Sequence, residues 1–188
     1  MNSLLGDGFR PFDPITQKLK GIKMSLRRIL GMLAISVLAS QAANAARIPA
    51  NAEATVVTKV MALEQKIASS EEVSIHVIDA PEVAEALEKR IGRKIGIGKL
   101  VKVTSSKSLP TQPVSAIYIG SKKVLDEALA YSRENNILSV TGVDSLKGLG
   151  VSLEVDLFAG KPNIAINTAS ATEEELTFDV ALERYTVK

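Results

Sequence analysis

Val114 to Gly142 reads V-S-A-I-Y-I-G-S-K-K-V-L-D-E-A-L-A-Y-S-R-E-N-N-I-L-S-V-T-G, and the class of the fold follows from it. The run Val114 to Ile119 is β-branched and aromatic, as suits a pleated, half-buried strand, and it stops at Gly120 with Ser121 placed to cap a helix. Val124, Leu125, Ala128, Leu129 and Ser132 then recur at the spacing of one helical stripe, with charges between them. Asn135-Asn136 ends that helix, and Ile137 to Val140 reads as a second buried strand. The connection is too long for a hairpin, so the two strands are predicted to be parallel and joined by a right-handed crossover. With the strands on either side, the expected class is α/β: a single layered domain with a mostly parallel sheet, flanking helices and an antiparallel hairpin near the C-terminus.

Upstream, Val56, Val60, Leu63 and Ile67, widened by Val57 and Met61, predict an amphipathic helix over Asn51 to Ser69, packed on the sheet. Val73 to Ile78 (V-S-I-H-V-I) is a strand ended by Asp79. Asp79-Ala80-Pro81-Glu82 then reads as a capping box with proline in the first turn, opening a helix through Val83, Ala84, Ala86, Leu87 and Ile91. Gly92 to Lys99 (G-R-K-I-G-I-G-K) invites a phosphate-loop reading and fails it. Arg93 stands where that motif needs glycine and Leu100 where it needs serine or threonine. No helix pattern follows, which removes a dinucleotide fingerprint as well. The stretch is a basic turn leading into a strand over Leu100 to Thr104, followed by a polar loop from Ser105 to Pro113. Downstream, Val151 to Phe158 and Asn163 to Asn167 alternate across an Ala159-Gly160-Lys161-Pro162 turn, a hairpin with one wet face. Thr172-Glu173-Glu174-Glu175 offers another capping box, with Phe178, Ala181, Leu182 and Tyr185 on the stripe of a short last helix.

The first 45 residues belong to a different category. Met24-Ser25-Leu26-Arg27-Arg28 is a short positive stretch, Ile29 to Ala39 is apolar, and Ala43-Asn44-Ala45 has the small-x-small pattern of a signal-peptidase site. Residues 24–45 therefore read as a signal peptide cleaved between Ala45 and Ala46, and its apolar core is too short to stay as a membrane span. Residues 1–23 precede the second methionine, and a start codon assigned too early accounts for them. Residues 46–188 are the expected mature domain, and its expected place is the periplasm, as a soluble protein.

The leader holds six basic residues (Arg10, Lys18, Lys20, Lys23, Arg27, Arg28) and two acidic ones (Asp7, Asp13), so without it the formal charge falls from +2 to −2. A net-acidic exported domain is not expected to bind nucleic acid. The chain has no cysteine, so an exported form must be stabilised by its core, with neither disulfides nor a lipoprotein anchor.

Chemistry-bearing patterns are few. His76 is the sole histidine and lies mid-strand, with no cysteine or second histidine to complete a metal site, and no G-x-S-x-G elbow is present. Carboxylates are scattered along helix faces and form no acid/base pair. No catalytic residue, metal or cofactor is assigned, and the chain is expected not to be an enzyme. In open parallel sheets, ligands sit beyond the carboxyl ends of the strands. Those ends carry Asp79, Ser105, Ser121 and Thr141, the candidate ligand-binding residues, although helix capping also explains Asp79 and Ser121. A phospho-receiver built on Asp79 and Thr141 is disfavoured, because one acidic residue at the first strand is a poor Mg²⁺ site.

The order of these phrases resembles the YfiR family of periplasmic proteins. The matching pieces are V-S-I-H-V-I-D before a helix with E-A-L, then I-G-R-K-I, V-S-A-I-Y-I-G, N-N-I-L-S-V-T-G, G-V-S-L and G-K-P-N-I-A-I-N, covering Val73 to the C-terminus. The resemblance implies an α/β sheet with flanking helices and a regulatory, non-enzymatic role. Its expected partner is the periplasmic sensor domain of an inner-membrane signalling protein, a diguanylate cyclase or histidine kinase, with effects on cyclic-di-GMP and biofilm formation. Homodimerisation and an unidentified small ligand are left open. Redox control through disulfides, implied by the founding member, cannot transfer to a chain without cysteine. No individual binding residue is carried over.

Overall fold

The protein is described from a computed structural model that covers residues 48–158 and 161–187, with the side chains of Phe158 and residues 183–187 excluded. The predicted leader and its Ala45–Ala46 cleavage site lie outside the described residues. Arg47–Lys188 forms one compact unit. In chain order it contains α1 (Ala50–Met61), α2 (Gln65–Ala68), β1 (Glu72–Ile78), α3 (Pro81–Glu88), β2 (Lys94–Ile95), β3 (Gly98–Ser106), β4 (Ala116–Ile119), α4 (Leu125–Asn135), β5 (Leu138–Thr141), β6 (Leu153–Phe158), β7 (Lys161–Asn167), α5 (Thr168–Glu173) and β8 (Thr186–Val187).

The eight strands form one sheet in the order β2-β3-β1-β4-β5-β6-β7-β8. Pairs β3-β1, β1-β4, β4-β5, β5-β6 and β7-β8 are parallel, and the β2-β3 and β6-β7 hairpins are antiparallel. The class expected from the sequence is therefore the one observed. The central unit is as read: β4, a helix and β5 in parallel, with Asn136 closing α4 in the left-handed conformation (φ 52°) that asparagine tolerates.

Both faces of the sheet are covered. On one, Val57, Val60 and Met61 of α1 and Val83, Ala84 and Leu87 of α3 pack with Ile75, Val77, Tyr118, Val140 and Val155. On the other, Leu125, Ala128 and Leu129 of α4 pack with Ile78, Ile117 and Ile119. The connection through α3 runs from β1 toward β3, and the one through α4 runs from β4 toward β5 on the opposite face. The chain thus reverses its winding between β1 and β4, the arrangement that defines a doubly wound sheet and its switch point.

Strand β3 carries an irregularity that decides what faces what. Val73 pairs with Leu100, but Ser74 pairs with Lys102, so Val101 is an extra residue. Such a bulge flips the alternation beyond it. Leu100 and Val103 consequently both reach the α1/α3 core, and Lys102, Thr104 and Ser106 lie beside His76 on the other face.

Several boundaries differ from those read in the sequence. The helix expected over Asn51 to Ser69 breaks after Met61, because the Glu64 carboxylate accepts the Ile67 N–H at 2.8 Å and starts a second short helix. Asp79 does not cap α3. It is left-handed (φ 54°), Ala80 occupies the cap position, and the helix stops at Glu88, leaving Ile91 half exposed. Ser121 caps a 3₁₀ turn (Lys122–Val124) ahead of α4, accepting the Lys123 N–H at 3.3 Å. Strand β3 extends through Ser106, so Ser105 lies inside a strand. Lys161 and Pro162 belong to β7, not to the turn before it.

The last helix is the largest correction. Asn167 caps α5 by accepting the Ser170 N–H at 3.2 Å, five residues before the expected box can act, and left-handed Glu175 terminates it. The chain then bridges Phe178 to Glu64, makes a 3₁₀ turn over Val180–Tyr185 and pairs with β7 as β8.

Candidate functional site

Of the four residues expected at the strand ends, Thr141 closes β5, Asp79 and Ser121 follow β1 and β4, and Ser105 lies one residue inside β3. Asp79 and Ser105 are exposed, and Ser121 is half-buried. Thr141 is fully buried, its hydroxyl donating to the Ile119 carbonyl at 2.8 Å and accepting the Val143 N–H at 3.1 Å. At the switch point the backbones of β1 and β4 meet closely. A Cβ built on Gly120 would stand 2.6 Å from the Ile78 carbonyl oxygen and 2.7 Å from that of Asp79, so glycine is what lets the two ends join. The cavity described next is lined by none of Asp79, Ser105, Ser121 and Thr141.

A cavity of about 190 Å³ with mixed polar and apolar walls lies instead on the sheet face beside β1 and β3, under the segment leading to β4. His76, Lys102, Thr104, Ser106 and Gln112 supply its polar wall, and Leu109, Pro110 and Val114 its apolar wall. On this face α4 covers β4 and β5, and the chain from 107 to 114 covers what the helix leaves bare. The bulge in β3 is what turns Lys102 and Thr104 toward the histidine.

His76 is buried and held from both ring nitrogens. Nε2 lies 2.9 Å from the Ser108 carbonyl and 3.1 Å from Ser106 Oγ, and Nδ1 lies 2.7 Å from Thr104 Oγ1. A carbonyl can only accept, so Nε2 carries the hydrogen, and in that tautomer Nδ1 accepts the Thr104 hydroxyl. Ser106 donates to the same Ser108 carbonyl at 2.7 Å. Nε2 is thus a donor beside a serine that is itself donating elsewhere, which is the reverse of a nucleophile–base pair. Behind Nδ1, where a triad has a carboxylate, stands the Thr104 hydroxyl. The histidine functions here as a strut that ties the 107–114 segment to the sheet. Lys102 Nζ donates to Gln112 Oε1 at 2.5 Å and closes the outer side. Lys102 Nζ keeps N–H groups for an acceptor on a small molecule, whereas the Thr104 and Ser106 hydroxyl hydrogens are already committed to His76 Nδ1 and the Ser108 carbonyl.

Three buried carboxylates escaped the sequence reading. Glu53 of α1 accepts the Tyr118 hydroxyl at 2.5 Å, and that oxygen accepts the Gly142 N–H at 3.1 Å, which ties α1 to the ends of β4 and β5. Glu64, besides capping α2, accepts the Thr177 N–H at 3.3 Å. Glu174 accepts the Ser132 hydroxyl at 2.7 Å and the Ser139 N–H at 3.1 Å, joining α4 and β5 to the turn after α5. Burial pushes the Glu174 carboxyl above its ordinary value, opposed by the hydrogen bonds from the serines. One signal was available: Glu53 lies four residues before Val57, on the buried stripe of α1.

Among the described residues no group of histidine, aspartate and glutamate side chains is placed to hold a metal ion, and no helix is long and apolar enough to cross a membrane. The geometry defines a doubly wound α/β protein with a side cavity on one face of the sheet. Compared with known proteins, the chain matches no family model and no curated protein.

Proposed function

We propose that this chain is an exported regulatory protein that modulates an inner-membrane signalling protein, a diguanylate cyclase or histidine kinase, by binding its periplasmic sensor domain. The supporting observation is where the ordered phrases fall. V-S-I-H-V-I-D forms β1 and its end, A-I-Y-I forms β4, N-N-I-L-S-V-T-G caps α4 and forms β5, and K-P-N-I-A-I-N forms β7. Four of the six phrases that carry the resemblance thus supply strands of an α/β sheet, the class the resemblance implies, while I-G-R-K-I and G-V-S-L fall mostly in the segments that lead into strands. Deleting the gene is expected to change cyclic-di-GMP and surface adhesion, and a membrane sensor is expected to co-purify with the tagged protein. No change in either output, together with no co-purifying sensor, would remove this reading.

A second reading, a periplasmic small-ligand sensor, is favoured by the cavity at His76 and Lys102. A ligand at a hundred times its Kd stabilises the folded state by about 2.7 kcal/mol. Thermal unfolding in a panel of small polar metabolites should show that rise. Lys102→Met abolishes it if the cavity is the site, and Asp79→Ala abolishes it if the ligand sits beyond the strand ends. A melting temperature unmoved by every compound would leave the regulatory reading alone.

A further inference from the structure

We propose that the edge of the sheet around the β2–β3 hairpin is a peripheral docking surface for an anionic phospholipid bilayer. Between Lys89 and Lys102 the chain has six basic residues and no carboxylate, in a domain that is net acidic once the leader is set aside. Three of the six are already engaged: Lys89 with Glu85, Arg90 with the Asn51 carbonyl and Thr55, and Lys102 with Gln112. Arg93, Lys94 and Lys99 are exposed and have no ion-pair partner among the described residues. Lys99 stands opposite Glu72 in the β1–β3 register and its N–H donates to the Glu71 carbonyl, so these two acidic residues border the patch on its β1 side.

The same edge presents aliphatic side chains to water. Ile97 is 71% exposed and Ile91 50%, two of the four large apolar residues that the described structure leaves outside. Ile97 is held out by construction. Ile95 fills the core, the left-handed Gly96 (φ 58°) fits against the Ala68 carbonyl, and the Ile97 N–H donates to that carbonyl at 2.9 Å. A Cβ on Gly98 would collide with the Ser70 and Glu71 carbonyls, so the turn is fastened on both sides of its isoleucine. A stiff turn loses little conformational freedom on binding.

An apolar tip ringed by cations matches a lipid interface, where aliphatic groups enter the acyl boundary and basic groups meet phosphates. It matches other anionic partners less well. No aromatic residue lies between Lys89 and Lys102 for base stacking, and two isolated isoleucines do not make the packed centre of a protein interface. Each basic side chain near an anionic surface raises affinity about fivefold, so three give about a hundredfold preference over a neutral bilayer. Docking of this kind is compatible with either reading of function and requires neither.

The test is co-sedimentation of the protein, as purified from cells, with phosphatidylcholine vesicles that contain or lack about a third phosphatidylglycerol. Binding is expected only with the anionic lipid and should weaken with salt. Arg93→Ala with Lys94→Ala should reduce it about twenty-five-fold. Ile97→Ser should reduce it about tenfold while keeping the preference for anionic lipid. All three positions are exposed, and an unchanged melting temperature verifies the fold. The proposal is overturned by no binding, by equal binding to both vesicles, or by binding that survives all these substitutions, which would place it elsewhere on the chain. It is also overturned if loss of the cations abolishes binding while Ile97→Ser has no effect, which would mark a purely electrostatic site for an acidic macromolecule.

Discussion

Removing the Glu174 carboxylate should unfasten one end of the sheet, and the cost can be worked from its contacts. Ser132 has an alternative acceptor, the Leu129 carbonyl at 3.0 Å, whereas the buried Ser139 N–H loses the carboxylate to which it donates at 3.1 Å. Hydrogen bonds to an ionised group contribute about 1.5–3 kcal/mol, and a buried donor left without an acceptor costs about 1–3 kcal/mol. Glu174→Ala should therefore lose about 3 kcal/mol. Glu174→Gln keeps one acceptor oxygen and should lose about 1 kcal/mol.

The pH dependence separates these effects from simple truncation. Burial raises the folded pKa of Glu174 above the ordinary 4.5, so the folded state holds that proton more tightly than the unfolded chain. Its favourable contribution is complete below pH 4.5 and disappears as pH rises through the raised value. Glutamine has no such titration. The stability of the wild type relative to Glu174→Gln should therefore fall as pH rises from 4.5 toward neutrality. Urea unfolding followed by far-UV circular dichroism across that range measures it, and titrations common to both proteins cancel in the difference. A constant difference, or a Glu174→Ala variant within about 0.5 kcal/mol of wild type, would show that the buried clasp is misassigned.

Two further substitutions examine the other end of the strands. Tyr118→Phe removes the hydroxyl shared by Glu53 and Gly142, and should cost about 1–3 kcal/mol in the same unfolding assay; no loss would mean that the bridge is not formed in solution. Gly120→Ala places a methyl group 2.6–2.8 Å from two backbone carbonyls and the Ala80 Cβ, and should cost more than about 2 kcal/mol. A folded, equally stable Gly120→Ala protein would mean that the β1 and β4 ends are further apart than described.

The local rules that were legible in the sequence are those with a short range. β-Branched runs and the stripe of α4 mark β1, β4, β5 and the crossover between the last two, because burial on both faces leaves β4 wholly apolar and interrupts the apolar residues of β1 and β5 only with single polar ones. The misread boundaries were decided by side chains that reach across the fold. Thr172 resembles a helix cap, yet its hydroxyl bonds back to the Thr168 carbonyl from inside α5, because Asn167 had already started the helix. Glu64 resembles one more polar position on a long helix, and only the arrival of Thr177 shows why the chain bends there. The candidate site was displaced for a similar reason. One extra residue at Val101 reverses which side chains of β3 accompany His76, and nothing in L-V-K-V-T announces a bulge.

The clasp at Glu64 also bears on when the domain can form. That residue, near the start of the described chain, is satisfied by the N–H of Thr177 and bridges to Phe178, 113 positions later for the first of these contacts. The helical corner cannot be completed until nearly the whole domain has been synthesised, and such distant pairings are slow to find one another. A chain cut short before Thr177 should therefore leave the Glu64 carboxylate without that N–H and the corner between the first two helices unfastened.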